Sequence, residues 1–309
     1  MKRTFTVFLL LFGLSAFGQH AIALLEIPEA RFSFHSRSGI GNQPVSADII
    51  RGMWVVNASL NGKTGAFILD TGAPMLAVNR MPASKSDIVA SGFSGKVEVG
   101  TTQVDQFNWS GINLRDFTAL ELDISHIEAV FGKELMGLIG FEVIRGNEIY
   151  FDYASSQIQV LDPNRNPLHR YFEPATTVPL TFDDHLPIVS LMIGGKSFKF
   201  GIDTGAGINL LNNRAVENIP QELLVKLPNE SIQGLDQDVK ECASYELTEA
   251  FLGKEKLEQV RFSGGDLTQL KALTGLELDG IIGFPLLRQL KFSINYPRET
   301  LYIWDRTDL

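Results

Sequence analysis

The sequence has 309 residues, 44% of them hydrophobic and 20% charged, so the chain is long enough for two modest folded domains and excludes a disordered or fibrous protein. A formal net charge of −9 without a basic cluster argues against nucleic acid as a partner.

The first residues have the pattern of a secretory signal peptide. Lys2 and Arg3 are basic, residues 5–17 are mostly apolar, and small residues follow. The apolar stretch is short for a membrane-spanning helix. We therefore predict a signal peptide over residues 1–18, with cleavage as late as residue 23, and a periplasmic or secreted protein without stable membrane insertion.

The residues after this segment predict β-strands joined by tight turns. The Asn-Gly pair at residues 61–62 lies between two apolar runs, which indicates a hairpin. The second strand of this hairpin leads directly into the sequence DTGA at residues 70–73. Farther on, LIG at residues 138–140 precedes a predicted short helix over residues 141–145 and a hairpin that turns at residues 154–156.

The second half of the chain repeats this order of elements. The stretch FILDTGAPM at residues 67–75 corresponds to FGIDTGAGI at residues 200–208, which is an offset of 133. The later motif LIGF, from residue 138, corresponds to IIGF, from residue 281, at an offset of 143. The second copy therefore has about ten additional residues between its two matched blocks, and each copy is domain-sized.

This duplication predicts an all-β fold with two similar lobes and only short helices. The N-terminal lobe is predicted over residues 24–165 and the C-terminal lobe over residues 170–309. Between them, a polar segment with several prolines suits a linker.

Each Asp-Thr-Gly turn would hold one aspartate rigidly at the end of a strand. Glycine permits the tight turn, and threonine is stiff and carries a hydroxyl that can bind nearby backbone. Turns at equivalent positions of duplicated lobes can meet at a pseudo-twofold axis, where Asp70 and Asp203 would lie side by side. Such carboxylates share a proton, so one can activate a water while the other protonates a carbonyl oxygen.

The motifs resemble those of the retropepsin-like aspartic proteases, and in particular bacterial members. The resemblance rests on LDTGA at residues 69–73, IDTGA at residues 202–206, and the LIG and IIG motifs, and it extends from about Met53 to Trp304. It implies a bilobal acid-protease fold of two retropepsin-like β-barrel lobes in one chain. It also implies a peptide or protein substrate, no cofactor, no metal, and a monomer with pseudo-twofold symmetry.

The resemblance further implies the roles of individual residues. Asp70 and Asp203 would be the catalytic dyad. The supporting residues would be the threonine and the glycine of each turn: Thr71, Gly72, Thr204 and Gly205. The threonines would brace each other across the lobe interface, and the glycines would permit the turns and present backbone amides.

The sequence departs from the family pattern after LIG and IIG, where Phe141 and Phe284 replace a residue that is polar in many members. The hairpins that would close over a substrate match the family pattern less clearly than the Asp-Thr-Gly turns do. We assign them to residues 90–100 and, as a weaker match, to residues 231–240. The candidate substrate-binding residues at their tips are Gly92, Phe93, Gly95 and Gly234.

Ala73 and Ala206 stand where pepsin-like enzymes typically carry a hydroxyl that donates to the catalytic carboxylate. A donor to the ionised form lowers the pKa of a carboxyl group, and alanine supplies none. Each carboxyl group should therefore hold its proton to higher pH. We expect a bell-shaped activity profile with its maximum at about pH 4.5 to 6.5.

Three functional hypotheses follow from these observations. The first is an exported aspartic endopeptidase, and the second is a peptide-binding protein on the same fold with weak or no catalysis. The third is a homodimer in which each lobe pairs with its twin, which the duplication within one chain disfavours. No histidine has the spacing of a zinc site, and all five are expected at the surface: His20, His35, His126, His169 and His185.

Overall fold

Two β-barrels and a sheet shared between them make up the fold. The structure, a computed structural model, describes residues 4–9, 23–28, 44–80, 89–92, 96–183, 185–233, 239–268 and 276–305. Strands β1 (Thr4–Leu9) and β2 (Ala23–Pro28) are antiparallel to each other. Most of the predicted signal peptide falls outside the described residues, and export stays a prediction.

The N-terminal barrel has six strands. In hydrogen-bonded order they are β9 (Lys96–Trp109), β10 (Ile112–Leu122), β7 (Ala77–Asn79), β11 (Gly137–Ile139), β6 (Lys63–Leu69) and β5 (Met53–Leu60). Pairing of β5 with β9 closes the barrel. Two short strands extend the same sheet: β4 (Asp48–Ile50) beside β5, and β8 (Val89–Gly92) beside β9. The other edge of β8 pairs with β2.

The C-terminal barrel has the same order of equivalent strands. They are β16 (Leu186–Ile193), β17 (Lys196–Ile202), β22 (Gly280–Ile282), β18 (Leu210–Asn212), β21 (Glu255–Gly265) and β20 (Val239–Leu252). Pairing of β16 with β20 closes this barrel. Strands β15 (Thr181–Asp183) and β19 (Leu224–Gln233) extend its sheet at the two ends.

A third sheet joins the two halves. Its strands, in hydrogen-bonded order, are β14 (Thr176–Pro179), β24 (Thr300–Trp304), β23 (Lys291–Asn295), β12 (Glu148–Asp152), β13 (Gln157–Leu161) and β3 (Pro44–Ser46). At its centre, β12 and β23 are antiparallel and Tyr150 lies opposite Ser293. These two residues differ by 143 positions, the offset of the second matched block, so the pseudo-twofold axis passes through this pair.

The helices are short. In the described part of the chain they are α1 (Ser125–Phe131), α2 (Phe141–Ile144), α3 (Pro167–Tyr171), α4 (Asn213–Val216), α5 (Phe284–Leu287) and a 3₁₀ turn (Gln221–Leu223). Helices α2 and α5 directly follow the LIG and IIG motifs. Helix α3 lies at the predicted junction of the lobes. Among the described residues, no helix is both long and apolar enough to cross a membrane.

The predicted hairpin turns have the geometry that their residues favour. Asn61 and Gly62 have φ values of 49° and 81°, and Gly194 and Gly195 have values of 56° and 78°. Positive φ at both central residues defines the turn that matches the twist of the flanking strands, and Asn-Gly and Gly-Gly adopt it most readily. These two hairpins deliver β6 and β17 into the two Asp-Thr-Gly turns.

The additional residues of the second copy lie before its long hairpin. Residues 80–95 connect β7 to β9, whereas residues 213–238 connect the equivalent strands β18 and β20. The longer connection contains α4, the 3₁₀ turn and the extended strand β19. The insertion therefore leaves the barrel unchanged and alters the hairpin beside it.

The buried apolar residues of both barrels and of the shared sheet form one large cluster, and a further cluster combines residues of both barrels. Phe67 and Phe200, at equivalent positions, are fully buried, and burial of such a side chain contributes about 1.5 to 3 kcal/mol. The further cluster combines Ile68 and Leu138 with Leu186 and other residues of the C-terminal barrel. The predicted bilobal all-β fold is confirmed, and this shared cluster surrounds the two Asp-Thr-Gly turns.

Candidate active site

The two aspartates lie at equivalent strand ends, one in each lobe. Asp70 follows β6, and its N–H donates to the carbonyl oxygen of Ile139 at 2.9 Å. Asp203 follows β17, and its N–H donates to Ile282 at 2.9 Å. The last residue of β11 or β22 therefore fixes where each turn begins. Both aspartates are fully buried.

The LIG and IIG motifs also support the far side of the turns. The N–H of Phe141 donates to the carbonyl oxygen of Ala73 at 2.8 Å, and Phe284 makes the same bond with Ala206 at 2.8 Å. A β-carbon added at Gly140 would lie 2.6 Å from the Ala73 oxygen. Only glycine allows the motif to approach the turn this closely.

Backbone amides of the turns hold the carboxyl groups. Oδ1 of Asp70 accepts from the N–H groups of Gly72 at 2.8 Å and Ala73 at 3.1 Å. Oδ1 of Asp203 accepts from the N–H of Gly205 at 2.8 Å. These bonds orient each carboxyl group and favour its ionised form.

Each carboxyl group packs against the glycine of the opposite turn. A β-carbon at Gly72 would lie 2.8 Å from Cγ of Asp203, and one at Gly205 would lie 2.6 Å from Cγ of Asp70. Real β-carbon contacts are not this short, so alanine at either position would displace a carboxyl group. The glycines bring the two lobes together at the aspartates.

The threonines of the turns bind across the lobe interface. The N–H of Thr71 donates to Oγ1 of Thr204 at 3.1 Å, and the N–H of Thr204 donates to Oγ1 of Thr71 at 3.0 Å. Both side chains are fully buried. The structure thus brings together all six residues that the sequence predicted for the dyad and its support.

Burial and mutual repulsion control the ionisation of the aspartates. Burial raises the pKa of both aspartates. The pKa of Asp203 is raised further by the negative charge of Asp70, which opposes ionisation of Asp203. The interaction between the two carboxyl groups lowers the pKa of Asp70 and raises that of Asp203. Both Oδ2 atoms are buried, and neither has a hydrogen-bond partner among the described residues.

His185 corrects one sequence-based expectation. It was expected at the surface, but its side chain is only 2% exposed, and its Nε2 lies 3.0 Å from the carbonyl oxygen of Gly72. The short connection between β15 and β16 places it beside the Asp-Thr-Gly turn of the other lobe. Its position in the duplication corresponds to Gly52, so comparison of the two copies gave no sign of this contact.

A pair of buried tyrosines lies near the aspartates, and the sequence analysis missed both. Tyr153 and Tyr296 are related by the offset of 143 and are 6% and 5% exposed. Burial raises the pKa of both hydroxyls, and the charges of Asp203 and Asp70, respectively, raise it further. Each tyrosine ring packs on the phenylalanine that follows the LIG-type motif of the other lobe, at 5.5 and 5.7 Å.

The predicted closing hairpins coincide with strand pairs at the edges of both barrels. Strand β8 pairs with β9 and ends at Gly92, and β19 pairs with β20 up to Gln233. The other candidate tip residues, Phe93, Gly95 and Gly234, lie outside the described residues. In the described ranges, no three side chains of the types that bind metals cluster together.

Comparison with known proteins agrees with this geometry. Residues 56–143 match a family model described as aspartyl protease, a range that includes the first Asp-Thr-Gly turn, the LIG motif and most of α2. The matched range lies within the N-terminal lobe, which is therefore similar to the aspartyl proteases of this family. No curated protein sequence matches the chain. The C-terminal lobe repeats the turn, the motif and the strand order of this aspartyl protease domain.

Proposed function

We propose that the protein is an exported aspartic endopeptidase in which Asp70 and Asp203 form the catalytic dyad. The observation that carries the proposal is the crossed contact of each buried carboxyl group with the glycine of the opposite turn. This contact holds two carboxyl groups close enough to share one proton. Such a pair combines a general base and a general acid in one site.

In the proposed reaction, the ionised carboxylate takes a proton from a water molecule as that water attacks the scissile carbonyl carbon. The protonated carboxyl group donates its proton to the carbonyl oxygen, which gives a neutral tetrahedral diol. The carboxyl group that took the proton from water then donates it to the amide nitrogen, and the other carboxylate takes a proton from one hydroxyl of the diol. The C–N bond breaks as the diol becomes a carboxylic acid and the nitrogen leaves as an amine. The shared proton is conserved over the cycle, and neither a metal nor a covalent intermediate is required.

The proposed substrate is an extended peptide bound between the lobes. The strand pairs β8–β9 and β19–β20 provide edges and hairpins that can bind a peptide as an added strand. We expect apolar side chains on both sides of the cleaved bond.

Digestion of a generic unfolded protein between pH 3 and 8 tests the proposal. We expect cleavage that a statine-type inhibitor blocks and that Asp70→Asn and Asp203→Asn each abolish, with unchanged circular dichroism. Near-wild-type turnover in either folded variant would exclude the dyad. A folded, processed protein that binds peptides but cleaves none would support the binding hypothesis.

Export is tested separately. Fractionation should place the wild-type protein outside the cytoplasm with a shortened N-terminus. Deletion of residues 2–18 should retain it in the cytoplasm. A full-length chain in the cytoplasm would contradict the predicted signal peptide.

A further inference from the structure

The two halves of the dyad differ in the groups that surround them. In both turns the N–H of the alanine donates to the main-chain oxygen of the aspartate, at 3.3 Å for Ala73 and 3.2 Å for Ala206. Only the N–H of Ala73 also reaches the carboxyl group of its own aspartate, where it donates to Oδ1 of Asp70 at 3.1 Å. Oδ1 of Asp203 accepts from the N–H of Gly205 at 2.8 Å, and the second backbone amide that lowers the pKa of Asp203 belongs to Gly72 of the other lobe. The pseudo-twofold symmetry of the fold is therefore broken at the catalytic carboxyl groups.

His185 adds to this difference through a single peptide group. Its Nε2 lies 3.0 Å from the carbonyl oxygen of Gly72. The N–H of the same peptide group belongs to Ala73 and donates to Oδ1 of Asp70 at 3.1 Å. When Nε2 carries a proton, the imidazole, the peptide and the carboxylate form a continuous chain of donors and acceptors.

Such chains strengthen each bond within them. A donor to the carbonyl oxygen draws electron density from the amide nitrogen, so its N–H becomes a better donor. Water is largely excluded here, because His185 and Asp70 are 2% and 0% exposed. The chain thus adds stabilisation to the negative form of Asp70.

Among the described residues of the other lobe there is no equivalent chain of donors and acceptors. The duplication places Gly52 at the position that corresponds to His185 (52 to 185), and glycine has no side chain with which to donate. Instead, Gly52 packs against the ring of Phe284, where a β-carbon would lie 2.6 Å from the ring.

We propose that His185 is a positioning residue that makes Asp70 the ionised member of the dyad and leaves the shared proton on Asp203. This inference rests on the proposed function, and it assigns the general base to the N-terminal lobe and the general acid to the C-terminal lobe. The other described titratable groups that act on Asp70 are Asp203 and Tyr296. Both lie in the C-terminal lobe, and neither supplies a positive charge.

The test compares two variants that differ in whether they can donate to the Gly72 oxygen. His185→Gln places an amide N–H₂ at similar reach, and His185→Leu fills similar space without a donor. His126→Leu removes a partly buried histidine from α1 and serves as a control. In the full chain, carbon-13 NMR of the aspartate carboxyl groups, assigned with Asp70→Asn, follows ionisation without any substrate.

We expect His185→Leu to raise the titration midpoint of the Asp70 carboxyl group by about half a pH unit. His185→Gln and His126→Leu should retain the wild-type midpoint. In the cleavage assay, His185→Leu should lower kcat by about tenfold with KM changed less than twofold, and its acid limb should move by the same half unit.

Midpoints that do not differ between wild type and a folded His185→Leu variant would overturn the inference. Equal loss of kcat in the glutamine and leucine variants would also overturn it, because that pattern indicates a purely steric role. Failure of the wild-type protein to cleave would refute the proposed function alone. The NMR titration would still decide whether His185 controls the ionisation of Asp70.

Discussion

Thr71 and Thr204 satisfy each other's backbone in a reciprocal, fully buried arrangement. Each hydroxyl accepts from the N–H of the other threonine, and each donates to a strand carbonyl of the other lobe. Oγ1 of Thr71 donates to Ile202 at 3.1 Å, and Oγ1 of Thr204 donates to Leu69 at 2.9 Å. The hydroxyls thus link the two turns directly beside the aspartates.

The first prediction concerns this link. Thr71→Val keeps the shape of the side chain but leaves the N–H of Thr204 and the carbonyl of Ile202 without partners. We expect a loss of about 2 to 5 kcal/mol in the free energy of unfolding, since each buried orphan group costs about 1 to 3 kcal/mol. Thr71→Ser should retain most of the stability. Urea unfolding measures both, and equal midpoints for valine and serine would contradict the argument.

The second prediction concerns the glycines that face the aspartates. Gly72→Ala and Gly205→Ala should each reduce kcat by at least about a hundredfold, because the new β-carbon would displace the opposite carboxyl group. Gly146→Ala is the matched control, since a β-carbon there would meet no atom within 4 Å. Measured kcat in all three variants tests this, and normal turnover in Gly72→Ala would show that the carboxyl groups do not meet as described.

Local patterns in the sequence were sufficient to predict the all-β fold and the meeting of the two Asp-Thr-Gly turns, but not the other residues that surround these turns. The hairpin turns, the duplicated Asp-Thr-Gly turns and the two short helices all depend on residues close together in the chain. The position of His185 depends instead on a contact between lobes, with Gly72 lying 113 residues away. Nothing in the neighbouring residues of His185 indicates this partner.

A polar network in the shared sheet was not predicted either, because it also depends on contacts between residues that are distant in the sequence. Glu148 is fully buried on β12, and its carboxylate accepts from donors of both halves of the chain. These donors are Asn166 at 2.9 Å, His169 at 3.0 Å, Ser293 at 2.6 Å and Asn295 at 2.7 Å. In the sequence, Glu148 is one of two charged residues in β12, and its partners lie up to 147 residues away.

The third prediction tests that network. Glu148→Leu should lower the free energy of unfolding by about 3 to 5 kcal/mol, because several buried donors lose their acceptor together. Glu148→Gln should cost about half as much, since its amide oxygen still accepts. The control is Glu258→Leu on the exposed face of β21, which should change stability by less than about 0.5 kcal/mol. Equal effects of the two leucine variants in urea unfolding would contradict a structural role for the network.

The fourth prediction follows from the raised pKa values of the dyad. A carboxyl group whose pKa is raised by folding stabilises the protein fully at pH below its unfolded value, and this stabilisation is lost as pH rises through the folded value. The wild-type protein should therefore lose stability above about pH 4. Asparagine at position 203 imitates the protonated form and removes the repulsion with Asp70.

We accordingly expect Asp203→Asn to raise Tm by about 3 to 6 °C at pH 8 and to leave it nearly unchanged at pH 3. Thermal unfolding at both pH values measures this difference. Glu258→Gln, at a surface carboxylate, is the control and should show no such dependence on pH. A change in Tm of the same size at both pH values would refute the coupled, raised ionisation of the pair.

The last prediction concerns the residues that follow the glycines of the two turns. Ala73 and Ala206 are fully buried, and the N–H of Ala73 already reaches Oδ1 of Asp70. A hydroxyl added at these positions can donate to the neighbouring carboxylate, which would lower the pKa of that carboxyl group.

The active form of the dyad carries one proton, so a lower first pKa extends activity to lower pH. Ala73→Ser combined with Ala206→Thr should therefore move the acid limb of kcat/KM downward by about half to one pH unit, from a wild-type optimum in the upper part of about pH 4.5 to 6.5. Ala73→Cys is the matched control, because the cysteine side chain is similar in size to serine but is a weak hydrogen-bond donor. The acid limb of this variant should stay near the wild-type position. An optimum near pH 2, or an acid limb that does not move in the double variant, would show that the environment of the carboxyl groups is not set by these two positions.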